Sequence, residues 1–431
     1  MRKADSTLIA RLACAACSLL VLCTTNRAHA LEGLGETDEP RFRLVADDLT
    51  LTLEAEAELE IHDLQGRGGP GHDSPTDRRT LGTRSPFAEL DSLSFALGLW
   101  LSERARAHAL VVLDTRGAEV GGLWLDASVD GPSWLRHDAQ LGLYPPIVYR
   151  DRRTERYPLI ATVTWREPEM HVVYGVTAGA DPERAASLLL SLAMMRPITF
   201  ASVADSRIVR GTINVIAYGP ARPFSGNAPV GGGRLRLTWA GAFAEAFGFV
   251  GTLGSEAGTD ALRSTLTRFQ DLPGYNAEEP ERQDRSFGWA GGRVGYERHG
   301  LHAWAEVIAL RESLLRRYGG YVQASYVLQL REPGTWFHRF EPLVRYEMLR
   351  IVDSASVQPS GRALRSPAPS EAPTWDFDAL TIALRAHVYR DVVRVRAEYA
   401  WIMEHNGVLA LGVANAPVRN NELLLQLEIG L

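Results

Sequence analysis

Arginines and carboxylates recur along this chain at alternate positions of otherwise apolar segments. Arg136, Arg345, Arg385, Arg394 and Arg396 fall on the polar sides of such segments, as do Glu54, Glu56, Glu58, Glu60, Glu341, Glu347 and Glu398. Mixed charges on a shared wall break no bonds. They set a local field that sorts ions and polar solutes, and the planar fork of arginine also grips phosphate. The candidates for such a field are Arg136, Arg345, Arg385, Arg394, Arg396, Glu58, Glu60 and Glu347.

Covalent chemistry has less to work with. The chain contains no G-x-S-x-G and no Ser/His/Asp set at recognisable spacing. Gly66-Arg67-Gly68-Gly69-Pro70-Gly71 has the glycines of a phosphate cradle. It lacks the strand-to-helix setting and the Lys-Ser/Thr ending, so it reads as an exposed loop. The histidines show no metal-ligand spacing on a shared helix. Cys14, Cys17 and Cys23 all lie near the N-terminus, which excludes disulfide frameworks, thiol catalysis and cysteine-ligated zinc from the body. No enzyme is expected, and no cofactor or metal is called for.

The scaffold for these charges is narrowed by composition. The chain has 431 residues, 45% hydrophobic and 23% charged, with a mean hydropathy of -0.12. That is too apolar for a disordered chain. The single long uncharged apolar run is N-terminal and too short to span a bilayer as a helix. Arg2 and Lys3, the apolar stretch Leu12 to Cys23, and Ala28-His29-Ala30 make a secretory signal peptide over residues 1–30. Leu22 before Cys23 fits lipid attachment poorly. Arg2, Lys3, Arg11 and Arg27 against Asp5 give this leader a net +3, so the whole-chain charge of -6 becomes -9 after cleavage. Lys3 is the only lysine. An exported acidic chain without a basic block has no nucleic-acid partner.

The rest of the chain alternates with period two. From Leu49 to His62 every odd position is Leu, Ala or Ile, and every even one is Thr, Glu or His. A strand puts these sets on opposite faces, which a helix cannot do. At roughly 3.3 Å per residue this segment exceeds about 40 Å, long for a soluble strand. The same rhythm returns at Leu93–Leu101, Leu135–Tyr144, Val322–Gln329, Leu380–Val388 and Val393–Trp401.

Connections alternate in length as well. Tight links are read at Ser102-Glu103-Arg104, Glu167-Pro168-Glu169, Asp205-Ser206, His299-Gly300 and Arg390-Asp391. Long polar stretches at 63–89, 145–157, 254–286, 352–375 and 405–419 separate them. Short turns on one rim and long loops on the other mark outer-membrane barrels. The expected fold is therefore an all-β, antiparallel transmembrane barrel of about 16–18 strands, eighteen being the first count. It occupies residues 49–431 as one domain, after a lead-in at 31–48. A barrel this wide cannot fill its lumen with side chains, so the polar face should line water and the apolar face should meet lipid.

Trp100, Trp124, Trp165, Tyr174, Tyr346 and Trp401 lie near strand ends and suit interfacial girdles, with ordinary packing as the alternative. Asp181-Pro182-Glu183 starts a stretch to Met195 that reads either as a helix, in the pore or on the surface, or as a strand through Ser187 to Ala193. A second short helix fits Thr259 to Gln270. The chain ends in Leu423, Leu425, Leu427, Ile429 and Leu431 at alternate positions, a pattern that resembles the signal read by the barrel-assembly machinery.

Three stretches resemble the phosphate-selective porin family: Gly319-Gly320-Tyr321-Val322-Gln323-Ala324-Ser325-Tyr326, Phe340-Glu341-Pro342-Leu343-Val344-Arg345-Tyr346-Glu347 and Asn420-Asn421-Glu422-Leu423-Leu424-Leu425-Gln426-Leu427. The resemblance implies a barrel in the outer membrane of a Gram-negative bacterium, contacting its lipid, assembled as a homotrimer and passing small hydrophilic solutes by diffusion. An occluded structural or binding barrel is the competing class. Members of that family carry lysine-rich entrances and an arginine ladder. Here any anion track must be built from arginine alone.

Overall fold

The computed structural model describes residues 42–46, 49–65, 84–144, 154, 169–179, 187–200, 207–209, 213–214, 218–220, 229–253, 285–330, 336–351, 377–389, 392–404, 418–419 and 421–430, apart from one or two positions inside some of these stretches. The signal peptide, the glycine-rich loop 66–71, Trp165, the second helix at 259–270 and Leu431 lie outside the described residues.

The alternating segments form sixteen antiparallel strands. They are β1 Leu49–Gln65, β2 Arg84–Ser102, β3 Ala105–Asp114, β4 Gly117–Asp130, β5 Leu135–Tyr144, β6 Glu169–Ala178, β7 Ser187–Met195, β8 Val230–Trp239, β9 Ala242–Thr252, β10 Ser286–Arg298, β11 Leu301–Glu312, β12 Leu315–Tyr326, β13 Trp336–Ile351, β14 Phe377–Tyr389, β15 Val393–Glu404 and β16 Glu422–Gly430. Each pairs with the next. β16 then pairs back onto β1, from Glu56 opposite Gly430 to Leu64 opposite Glu422, closing the cylinder. Closure satisfies the backbone without leaving an edge, the condition for β-structure in hydrocarbon.

Two links on the short-turn rim have geometry that explains their length. Ala240 and Gly241 join β8 to β9, and His299 and Gly300 join β10 to β11. All four have positive φ, 49°, 85°, 55° and 78° in that order, as the two-residue turns that follow strand twist require.

Several expectations are corrected. The strand count of sixteen lies at the lower end of the expected range. Glu167-Pro168-Glu169 joins no two strands, because Glu169 simply begins β6. Asp205-Ser206 lies inside the β7–β8 connection, where Ile198–Phe200 pairs only with Tyr218–Pro220 and Arg207–Val209 only with Ile213–Asn214. β7 and β8 pair directly. The long-loop rim also carries two tight links, between β3 and β4 and between β11 and β12, so the alternation of lengths is not strict. Ser187–Met195 is a strand, not the end of a helix. Leu188, Leu190, Leu192 and Met194 face out while Ser187, Ser191, Ala193 and Met195 face in, a division that only period two permits. The lead-in contributes a strand, Phe42–Ala46, paired with Leu49–Leu53 of β1.

The barrel is apolar outside and polar inside. Val307, Val322 and Leu192 are 57–60% exposed on the outer wall, whereas Glu306, Arg317, Arg345 and Glu428 are at most 2% exposed. Outward aromatics gather near both rims. Trp134, Tyr174, Trp239, Tyr296, Tyr326 and Trp336 ring the short-turn end, and Tyr318, Tyr346 and Trp401 the other. Tyr318 and Tyr326 share β12 eight residues apart, roughly 26 Å along the strand and about 20 Å along the barrel axis at a tilt near 40°. That spacing suits a bilayer core flanked by aromatic girdles. Trp100 and Trp124 do not belong to them. The register sets both beside inward residues, and Trp124 stacks on His108.

Candidate functional site

Two belts of paired charges cross the inner wall. The first follows one register line, Arg236, Glu245, Arg293, Glu306, Tyr321 and Glu347, from β8 to β13. Arg293 sits between two carboxylates, donating to Glu306 and lying 3.2 Å from Glu245. Tyr321 accepts from the Trp304 indole at 3.2 Å. Phe243, Phe247, Phe249, Phe287 and Trp289 pack on the same strands, each at most 6% exposed. Inside such packing each charge is held by an opposite one, because an unpaired buried charge costs several kcal/mol.

The second belt spans β14 to β1. Arg385, Arg394 and Arg396 converge on Glu428 at 3.2, 2.8 and 2.6 Å. Arg394 also reaches across β16 to Glu56 at 2.7 Å. Gln426 donates to Glu60 at 2.8 Å, and Arg339 meets His387 at 2.9 Å. Between the belts, Arg345 lies 3.7 Å from Glu347 and donates to Thr154 at 2.5 Å. Thr154 belongs to the connection between β5 and β6 yet is 0% exposed. Thr154 therefore lies inside the barrel against the wall at β13.

The inner wall from β1 to β5 is different. Glu54, Glu56, Glu58, Ser92, Ser94, His108, Trp124, Asp126, Ser128, Asp138 and Gln140 are all half-buried, and Arg136 is exposed. Asp126 is the hub of this surface. It accepts from Gln140 at 2.7 Å and from Trp124 at 3.3 Å, and lies 3.0 Å from His108 and 3.9 Å from Arg106. Arg136 pairs with Asp138 at 2.8 Å near the short-turn rim.

Of the residues singled out by sequence, Arg385, Arg394 and Arg396 meet in one cluster, with Glu58 and Glu60 beside it on β1. Arg345 and Glu347 stand together on β13, and Arg136 stands apart on the open wall. Sequence reasoning missed Glu245, Arg293, Glu306, Asp126 and His108. The signal was present, since all five alternate with outward-facing residues, but Phe and Trp on the same faces blur the polar pattern.

Comparison with solved structures agrees with this architecture. The outer membrane channel DcaP of Acinetobacter baumannii superposes with a TM-score of 0.54 at 9% identity, covering 89% of this chain and 97% of that one. OprB of Pseudomonas putida gives 0.53 at 12% identity, covering 88% and 93%. An anion-selective porin from Comamonas acidovorans scores 0.49 at 8% identity, covering 89% and 100%, too distant to inform ion preference. No protein-family model matches the chain, and no curated protein matches its sequence. Identities this low show shared fold, that of outer-membrane channel barrels.

Proposed function

We propose that this protein is a porin-like channel in the outer membrane of a Gram-negative bacterium, passing small hydrophilic solutes or ions by diffusion and performing no catalysis. The observation that carries it is the half-open inner wall from β1 to β5 inside a closed barrel whose outer face is apolar. Polar, partly accessible side chains running along one side supply a wet route through an otherwise packed interior. Residues 1–30 act as the export signal, and β16 is the segment presented to the barrel-assembly machinery. The charged candidates then divide by task, with Arg136 and Glu58 facing solute and Arg345, Arg385, Arg394, Arg396, Glu60 and Glu347 holding the wall.

Phosphate preference finds little support in this geometry. Arg385, Arg394 and Arg396 share Glu428, and Arg345 lies beside Glu347. A trimer has its best surface where small residues face out on adjacent strands, at Ala244, Ala246, Gly248, Ala290 and Gly292 of β9 and β10, since small side chains let two walls approach closely. The deciding experiment is single-channel recording of the refolded protein in planar bilayers. Stable open steps are expected; a folded, heat-modifiable protein that never conducts would instead make this an occluded structural barrel.

A further inference from the structure

We propose that Arg311, Arg316 and Arg350, on the outer wall at the long-loop rim, hold the phosphate groups of outer-leaflet lipid. This rests on reading the chain as an outer-membrane barrel with its long loops outside, and is independent of whether the barrel conducts. Parity fixes the direction of all three. Arg311 is in phase with Val307 on β11, Arg316 with Tyr318 and Val322 on β12, and Arg350 with Val344 and Tyr346 on β13, and those neighbours are outward and exposed. Arg311 and Arg316 are exposed themselves. The register brings the three together. Arg311 lies directly opposite Arg316, and Arg350 directly opposite Tyr318, two residues along β12 from Arg316.

Depth supplies the partner. Tyr318 and Tyr346 belong to the aromatic girdle at this rim, where hydrocarbon meets headgroups. Arg316 stands two residues beyond Tyr318, roughly 7 Å along the strand, and so reaches the headgroup layer, whose anionic groups are phosphates. The planar fork of arginine grips a phosphate through two parallel bonds. Two arginines directly across a strand pair repel each other, and an anion lying over both turns that repulsion into a bridge. Arg350 is braced for the same task. It donates twice to Asp378 at 2.7 Å, Tyr346 donates to Asp378 at 2.8 Å, and the arginine side chain stays 25% exposed. None of the three needs to lack a protein partner, because a guanidinium spreads five N–H donors over a fixed fork.

Native mass spectrometry of the refolded protein in detergent reads the interaction, with bisphosphorylated lipid A as the probe and its dephosphorylated form as the control. The phosphorylated lipid should bind more tightly by about tenfold or more. Arg311→Gln/Arg316→Gln should erase most of that difference while the barrel stays heat-modifiable. Arg311→Lys/Arg316→Lys keeps the charge without the fork and should fall between the two. Arg298→Gln removes an exposed arginine in phase with Tyr296 on the short-turn rim, and should bind as the parent does. Equal affinity for the two lipids, or an unchanged preference in the double glutamine variant, would overturn the proposal and leave these arginines merely reaching for water. Displacement of the lipid by inorganic phosphate at equal concentration would overturn it too, making the ligand a free anion. A refolded protein that stays out of lipid vesicles would remove the outer-membrane reading itself, and the lipid site with it.

Discussion

The walls β1–β5 and β8–β13 are built from the same alternating strands, yet they solve the problem of inward charge in opposite ways. On β8–β13 Arg293 lies between Glu245 and Glu306, Arg345 lies beside Glu347, and Phe247 and Trp289 pack alongside, so much of that wall is a densely packed, cross-linked plate. On β1–β5 many inward groups, among them Ser94, Ser128, Glu54, Glu58, Asp138 and a stacked His108–Trp124 pair, are half-buried, although Thr52 and Glu60 of the same wall are closed off. The difference teaches that a strand's polar face need not face a pore. What decides is the bulk beside the charge: Phe247 and Trp289 flank Arg293, whereas Ser128 and Gln140 flank Asp126 and Asp138.

The contrast is sharpest at its most buried ion pair. Arg293→Leu should destabilise the barrel by about 3–5 kcal/mol, because it removes the guanidinium between Glu245 and Glu306 in a densely packed site. Denaturant titration of the folded protein in detergent would read this, and a loss under about 1 kcal/mol would mean that the plate is wetter than described. On the outer wall, Leu192→Arg is expected to cost about 2–4 kcal/mol in lipid vesicles. A neutral result there would contradict the assignment of that face to lipid.

Next in size is Gly142, on β5 beneath the open wall. Its φ is 142°, and an added Cβ would lie 2.2 Å from the Leu123 carbonyl oxygen, so Gly142→Ala should cost about 1–3 kcal/mol through strain. The same titration checks it. Smallest of all is Arg136→Leu. This half-exposed pair with Asp138 should change stability by less than about 1 kcal/mol, yet raise cation preference in the reversal potential by removing a positive charge from the route. A large stability loss with no change in selectivity would place Arg136 in the structural set instead.

Much of the fold was legible in the residues, because lipid outside and charge inside impose period two on nearly every strand. Leu49–His62 and Leu423–Ile429 show it plainly. The count was open between sixteen and eighteen because short polar links such as those at Gly117 and Ala242 can be read more than one way from parity alone; both are hairpins of the barrel. At Asp181–Met195 a good cap sequence favoured a helix while the leucine run also read as a strand through Ser187 to Ala193; tertiary pairing holds it extended, as the second reading had it. Of the site, the faces carrying Arg385, Arg394, Arg396 and Glu347 were legible from parity alone. Their partners were not: Arg394 meets Glu56 across 338 residues of chain, and no local pattern encodes that closure. Nor could parity separate the plate from the wet wall, since both read as alternating polar and apolar positions.

One feature of β1 bears on how the molecule becomes watertight. The same edge of that strand is covered at one end by Phe42–Ala46, a few residues upstream, and at the other by β16, far downstream in the sequence. The first is a local contact, while the second has extreme sequence separation and is expected to close more slowly. Without the nine residues of β16 in place the sheet keeps an open seam along β1, so it is this one contact that seals the wall.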